Sequence, residues 1–332
     1  MDVGRLRPDV PLSRCHPHRL QEAQERMSET INPSVRAARA PAAERTDRPI
    51  ILDGKRVAQK VREEVAVRAR EFAQQFGRPP GLAVVQVGED PASSTYVRNK
   101  RRSCQEAGIA SFANDLPAST SEAELLAVIH ALNRDELVDG ILVQLPLPAG
   151  LTPNRIMDDI DPAKDVDAFH PMNSGLLAQK RPRLRPCTPY GVIRLAREYG
   201  IGLRGVKAVV VGDSNIVGRP MALELLQAEA TVTVCHIATR DLKAEVERAE
   251  LLVSAVGKAG VIHGDWIRPG AAVFDVGINF GPNGKLVGDV EFEPAAERAG
   301  WITPVPGGLG PMTIAMLLSN TLDAAYARAA GR

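Results

Sequence analysis

Tyr96 and Lys100 stand four residues apart in the segment Ser94-Thr-Tyr-Val-Arg-Asn-Lys100. On a helix that spacing sets a phenol and an amine on one face, near the N-terminal end. An amine so placed can pass a proton if burial draws its pKa toward neutrality. A solvated lysine beside a packed tyrosine has the same spacing, so the pair gains meaning only from what converges on it. Gln144 is the first such group: it lies at the end of the apolar run Gly140-Ile-Leu-Val-Gln-Leu145, and open α/β sheets bind ligands at the C-terminal ends of their strands. A second constellation is Gly212-Asp-Ser-Asn-Ile-Val-Gly218, entered from the apolar run Lys207–Val211 and left by a helical stretch to about Ala228, with a further strand at Thr231–His236. Such a turn offers backbone N–H groups and the positive end of a helix to a pyrophosphate. Ser214 replaces the second glycine of G-x-G-x-x-G and Gly218 comes one residue late, so the βαβ context, more than the spacing, carries the reading as a dinucleotide site.

The elements that must position these residues are legible in outline. From Ile50 onward, β-rich apolar runs alternate with amphipathic stretches, the pattern of an α/β fold with mainly parallel sheets. A helix is expected from Gly54 to Phe76, a strand at Leu82–Val87, and a second helix opened by Asp90 as N-cap with Pro91 at its first position and ending near Gly108. A third helix starts at Ser121, where Glu124 completes a capping box. After the loop Asp161–Pro171 and the proline-rich Arg181–Pro189 the texture changes, placing a domain junction near Thr188. Strands are expected at Leu251–Val256 and Ala272–Val276, and a last helix from about Gly310 to Arg328. The expected organisation is two domains: an α/β catalytic domain over residues 48–187, completed by a returning C-terminal helix at 311–330, and a Rossmann-like domain over 188–310. Residues 1–47 lack apolar periodicity and read as a disordered extension, either a dispensable tail or an overlong start upstream of Met27.

Composition narrows the functional classes. The 332 residues carry 41 basic and 40 acidic side chains, a net charge of +1, so no whole-protein field draws the chain to nucleic acid or to an anionic membrane. Cys15, Cys104, Cys187 and Cys235 are scattered without C-x-x-C spacing, which argues against a structural metal and for a reducing cytoplasm. No apolar run reaches the length of a membrane span. A soluble enzyme acting on a small molecule is the expectation.

Six segments occurring in order make the reading specific: Tyr96-Val-Arg-Asn-Lys100, Asp139-Gly-Ile-Leu-Val-Gln-Leu-Pro-Leu-Pro148, Lys164-Asp-Val-Asp167, Arg185-Pro-Cys-Thr-Pro189, Gly212–Pro220 and Pro304-Val-Pro-Gly-Gly-Leu-Gly-Pro-Met-Thr313. Together, from about Ile50 to Ala329, they resemble the bifunctional methylenetetrahydrofolate dehydrogenase/methenyltetrahydrofolate cyclohydrolase family. Short-chain dehydrogenases also carry a Tyr-x-x-x-Lys pair, but their nucleotide turn precedes it, whereas here Tyr96 precedes Gly212.

The resemblance implies a multifunctional oxidoreductase and hydrolase of one-carbon metabolism and tetrahydrofolate interconversion, feeding purine biosynthesis. It implies catalytic roles for Lys100, its partner Gln144, Asp167 as holder of the pterin, and Tyr96 as the ring packed on the substrate. Val143, Leu145, Pro306, Gly307, Gly308 and Gly310 would border the folate with them, and Gly212, Asp213, Ser214, Ile237 and Ile278 would contact the dinucleotide. It further implies NADP as cofactor, a homodimer, and no metal. Two departures stand out. Ala168 follows Asp167 where the family has glycine, which costs on the order of 1 kcal/mol if the position is left-handed and leaves open a folate-binding chain without turnover, or a dehydrogenase with weak cyclohydrolase activity. Asp213, Ile237 and Ala238 stand where many relatives carry partners for a 2′-phosphate, which keeps NAD open.

Overall fold

The computed structural model describes residues 48–88 and 91–331, together with the side chains there apart from those of residues 91–96. The expected N-terminal extension and the expected N-cap Asp90 lie outside the described residues. In chain order the elements are β1 (Ile50–Ile51), α1 (Gly54–Phe76), β2 (Gly81–Val87), α2 (Pro91–Glu106), β3 (Ala110–Leu116), α3 (Glu122–Arg134), β4 (Gly140–Val143), α4 (Pro153–Asp158), α5 (Pro171–Ala178) and α6 (Cys187–Glu198). They continue with β5 (Lys207–Val211), α7 (Gly218–Gln227), β6 (Thr231–Cys235), α8 (Leu242–Glu247), β7 (Leu251–Ser254), β8 (Ala272–Asp275), β9 (Asn279–Phe280), β10 (Leu286–Val287), α9 (Phe292–Ala296), β11 (Trp301–Ile302) and α10 (Leu309–Ala329).

Local sequence explains the best-formed of these. In α1 the apolar residues Val57, Val61, Val65, Ala69 and Phe72 recur at helical spacing and are buried. Asp53 caps its start by accepting from the Arg56 amide, and Gly77, at φ 71°, turns the chain off its end. The expected capping box opens α3, with Ser121 and Glu124 each accepting from the other's backbone.

Two parallel sheets result. The smaller has the order β3-β2-β4, and all residues of its central strand β2 are buried, as expected of a strand covered on both faces. The larger has the order β1-β11-β8-β7-β5-β6, parallel throughout. Its chain runs from β5 outward to β6 and then back across to β7 on the other side, so the carboxyl ends of β5 and β7 flank a topological switch point. Ile50 and Ile51, which open the expected first domain, pair instead with Trp301 and Ile302 in this larger sheet. The C-terminal helix α10 buries Met312, Ala315, Leu318 and Leu322 in a core shared with α1, α6 and the larger sheet.

Strand ends fall short of the apolar runs: β4 stops at Val143, β6 at Cys235, β7 at Ser254 and β8 at Asp275. Just past the ends of β4, β7 and β8, Gln144, Ala255 and Val276 each donate a last backbone bond to the neighbouring strand, and Gln144 and Val276 line the inner cavity.

Candidate active site

Lys100 sits on α2 with only 5% of its surface exposed. Its Nζ donates to Gln144 Oε1 at 3.0 Å. Gln144 is the first residue past β4, where its backbone N–H is tied to Val85 O and its own Nε2 donates to Leu145 O at 2.6 Å, leaving the amide oxygen aimed at the amine. Both border a cavity of about 230 Å³ together with Val143, Leu145, Asp167, Ile278 and Gly310. The structure thus brings these expected residues to one place. The expected role of the Tyr96 ring lies outside the described residues.

Asp167 is carried by a loop that the surroundings fix closely. Lys164 O accepts from the Ile141 amide, and the Asp165 carboxylate accepts from His170 N and Asn173 Nδ2 at 2.8 and 2.9 Å. From α10, Asn320 Nδ2 donates to Val166 O and Arg185 O, each at 2.7 Å. The next residue, Ala168, is left-handed at φ 58° and fully buried, so this is a position where the family's glycine is free and alanine is strained.

The electrostatics follow from burial. Desolvation lowers the Lys100 pKa, and the neighbouring Asp167 opposes that fall. The Asp167 carboxyl is pushed up to about 6 by burial, against the pull of Lys100 and with a further push from Asp165. A base and an acid that differ widely in water are therefore drawn toward each other. The thiol of Cys187, beside Asp167, is raised well above its ordinary value by burial, which makes it a packing group and no nucleophile.

Across the cavity stand residues of the larger sheet's end. The turn after β5 is closely packed: Gly212 has φ 112°, its missing Cβ leaves room for Ala255 O, and a Cβ on Gly218 would overlap Gly212 O. The late glycine is thus required by this contact. Ser214 Oγ accepts from the amides of Val217 and Gly218 at 3.2 and 3.4 Å, and Ser214 O from Arg219 N. Ser214 Oγ thus occupies two of the amides at the start of α7, and the Gly212–Ser214 turn lies just before them. Asp213 is also not a lone acid. Arg219 Nε donates to Asp213 O at 2.9 Å, and its other end lies 3.6 Å from the Asp213 carboxylate. Ile237 projects fully into solvent beyond β6 and does not reach the cavity.

Residues 304–308 and the start of α10 border a larger adjoining cavity of about 800 Å³, which shares Val276, Ile278, Leu309 and Gly310 with the first. Pro306, Gly307 and Gly308 line it as expected, and Lys55, Arg62 and Arg102 face the same space. Sequence reasoning had assigned no role to Phe169, Thr188, Ile216, Val276 or Thr313, all of which line the inner cavity. Thr188 and Thr313, whose hydroxyls meet at 2.9 Å, lay inside two of the ordered motifs, and that membership was the available signal.

A parallel sheet with a glycine turn at its switch point, facing a cavity that holds a buried lysine, an amide and a carboxylate from a second α/β layer, defines an α/β enzyme with a Rossmann-like dinucleotide half. Residues 52–167 match the family model described as tetrahydrofolate dehydrogenase/cyclohydrolase, catalytic domain, and residues 186–329 the one described as tetrahydrofolate dehydrogenase/cyclohydrolase, NAD(P)-binding domain. The bifunctional protein FolD of Acidithiobacillus ferrooxidans is 59% identical over 277 residues, 83% of this chain and 96% of that one. Among solved structures, the bifunctional FolD methylenetetrahydrofolate dehydrogenase/cyclohydrolase of Campylobacter jejuni is 47% identical with a TM-score of 0.82, covering 84% of this chain and 99% of that one. The FolD of Trypanosoma brucei, complexed with NADP cofactor and inhibitor, is 38% identical with a TM-score of 0.82, covering 86% and 99%. The chain belongs to the tetrahydrofolate dehydrogenase/cyclohydrolase family.

Proposed function

We propose that the two adjoining cavities form one cleft in which both reactions of the family take place: oxidation of 5,10-methylenetetrahydrofolate to the 5,10-methenyl compound with NAD(P), and hydrolysis of that cation to 10-formyltetrahydrofolate. The observation that carries this reading is the convergence of Lys100, Gln144 and Asp167 on one wall of the inner cavity, with Ile216 and Ile278 on the side of the nucleotide turn.

The residues fit a dinucleotide. Ile216, Val256 and Ile278 are large apolar side chains left 40%, 41% and 59% exposed around the switch-point crevice, a surface suited to a flat ring. The turn Gly212–Ser214 would hold the phosphates, and the nicotinamide supplies the hydride acceptor when bound. What the chain itself contributes to oxidation is alignment in a water-poor cleft. For hydrolysis, Lys100 with its lowered pKa takes a proton from the attacking water and passes it on, while Gln144 fixes the amine without adding charge. Asp167, when ionised, accepts from the pterin N–H groups. Lys55, Arg62 and Arg102 set positive charge along the outer cavity, where the carboxylates of the folate tail would lie.

NADP is the favoured cofactor in this reading, because Arg219 offsets Asp213 beside the nucleotide turn. The domain division at about residue 188 and a homodimer belong to the same reading; the free edge of β6, with Val234 exposed there, is a surface on which two copies could meet. No described helix is long and apolar enough to cross a membrane, in keeping with the cytoplasm as its location. The test is to follow reduced-cofactor formation from methylenetetrahydrofolate with NAD and NADP in parallel, and decay of methenyltetrahydrofolate above its spontaneous rate. Turnover in both assays is expected; failure of both leaves a folate-binding chain and overturns the proposal.

A further inference from the structure

The strands β9 and β10 pair as an antiparallel hairpin and return the chain to Asp289. This carboxylate is fully buried, and among the described residues no cation pairs with it. It is held instead by hydrogen-bond donors from two loops. Oδ2 accepts from Ser254 Oγ at 3.1 Å, Val256 N at 2.7 Å and Gly257 N at 3.2 Å, and Oδ1 from Lys258 N and Asn279 Nδ2, each at 3.0 Å. A second buried carboxylate, Asp275, fixes the first from behind. Its Oδ1 accepts from Gly277 N at 2.9 Å and Asp289 N at 3.0 Å, and its Oδ2 from Val290 N at 2.9 Å. Two glycines make this approach possible, since a Cβ on Gly277 would overlap the Asp289 carboxylate and one on Gly288 that of Asp275.

The loops so tied are not arbitrary. Residues 255–258 follow β7 at the switch point, and Ala255 O packs against Gly212 of the nucleotide turn. Residues 276–279 follow β8 and carry Val276 and Ile278 to the cavity that holds Lys100. One carboxylate therefore sets the spacing between the nucleotide turn and the wall facing the folate side. The three consecutive amides of Val256, Gly257 and Lys258 all donate to it.

We propose that Asp289 is a positioning residue for the nicotinamide end of the dinucleotide, acting through the 255–258 and 276–279 loops without touching the ligand. This rests on the reading of the cleft given above. Outer-shell partners of metal ligands change affinity or activity by about 10- to 100-fold; a carboxylate that holds two loops from behind should act on a similar scale, and here on one substrate of the two.

The experiment is steady-state kinetics of Asp289→Asn, in which an amide donor must face backbone N–H groups, together with direct titration of NADP and NAD onto the purified variant. The expected result is a rise in the dinucleotide KM and Kd of roughly 10- to 100-fold, a smaller change in kcat at saturating dinucleotide, and a hydrolysis rate that falls far less than oxidation. Equal loss of oxidation and hydrolysis, or an unchanged dinucleotide Kd, overturns the proposal. Should Asp289→Asn fail to fold, Ser254→Ala and Asn279→Ala each remove one of the five bonds and should raise the dinucleotide KM in the same direction; no rise in either overturns it too. Because titration of the dinucleotide needs no folate, the inference is read independently of whether the wild-type chain turns folate over.

Discussion

Replacing Lys100 by Met removes the amine while keeping most of the side chain's length, and the structure sets opposite expectations for stability and for chemistry. The ammonium is buried and its pKa is lowered, chiefly by desolvation. A lysine whose folded pKa lies below its unfolded value burdens the fold at neutral pH, and that burden vanishes as pH rises through the unfolded value near 10.5. Met carries no such burden, so Lys100→Met should be at least as stable as wild type at pH 7, with the difference narrowing toward pH 10. Against this stands the Gln144 oxygen, which loses its donor at 3.0 Å and costs about 1–3 kcal/mol if nothing replaces it; water in the open cavity limits that loss. Chemistry moves the other way. Loss of a positioned proton carrier slows hydrolysis by about 10²–10⁴-fold, or roughly 3–5 kcal/mol of barrier. Oxidation, which depends on alignment, should fall by much less. The assays are methenyltetrahydrofolate decay, reduced-cofactor formation, and thermal melts across pH 7–10. Equal losses in both reactions would show that Lys100 only positions the folate, and a stability difference from wild type that does not shift against Lys100→Met between pH 7 and pH 10 would refute the burial argument.

Three further outcomes are expected. Ala168→Gly relieves left-handed strain of about 1–2 kcal/mol but loses a buried methyl worth about 0.8 kcal/mol and adds unfolded-state freedom worth about 0.4–1 kcal/mol, so chemical denaturation should place it within about 1 kcal/mol of wild type with activity retained; a change well beyond that means that the loop is held differently. Asp167, pushed up to about 6, is increasingly protonated below that pH, so the KM for methylenetetrahydrofolate should fall as pH rises through about 6, and Asp167→Asn should raise the KM while flattening this dependence. Because its folded pKa lies above the unfolded one, the same group favours folding most at low pH and ceases to as pH rises through about 6, so a KM profile tracking stability instead would point to partial unfolding. Arg219→Glu should lower the NADP/NAD preference roughly three- to tenfold, the scale of an exposed charge contact and its reversal, and Asp213→Arg should raise it; ratios that do not move place the selectivity elsewhere.

The sequence by itself determined the elements whose signals are local. The helical spacing of Val57, Val61, Val65, Ala69 and Phe72, the capping pair Ser121 and Glu124, the buried run of β2 and the strand-turn-helix around Gly212 are each written within a few residues, because a helix face, a cap and a turn depend on neighbours in the chain. The ordered motifs also pointed to Lys100, Gln144 and Asp167, and even to strain at Ala168. What only the tertiary structure decided are relations across the chain: Ile50 and Ile51 paired with β11, Arg219 turned onto Asp213, Ser214 occupying the amides of α7, and Asp289 gathering donors from Ser254 to Asn279. Asp289 stands in no periodic pattern and in none of the ordered motifs that would mark it. Its role follows from complete burial, which forces a carboxylate to collect every nearby donor, and burial of that kind is a property of packed sheets that no stretch of sequence contains.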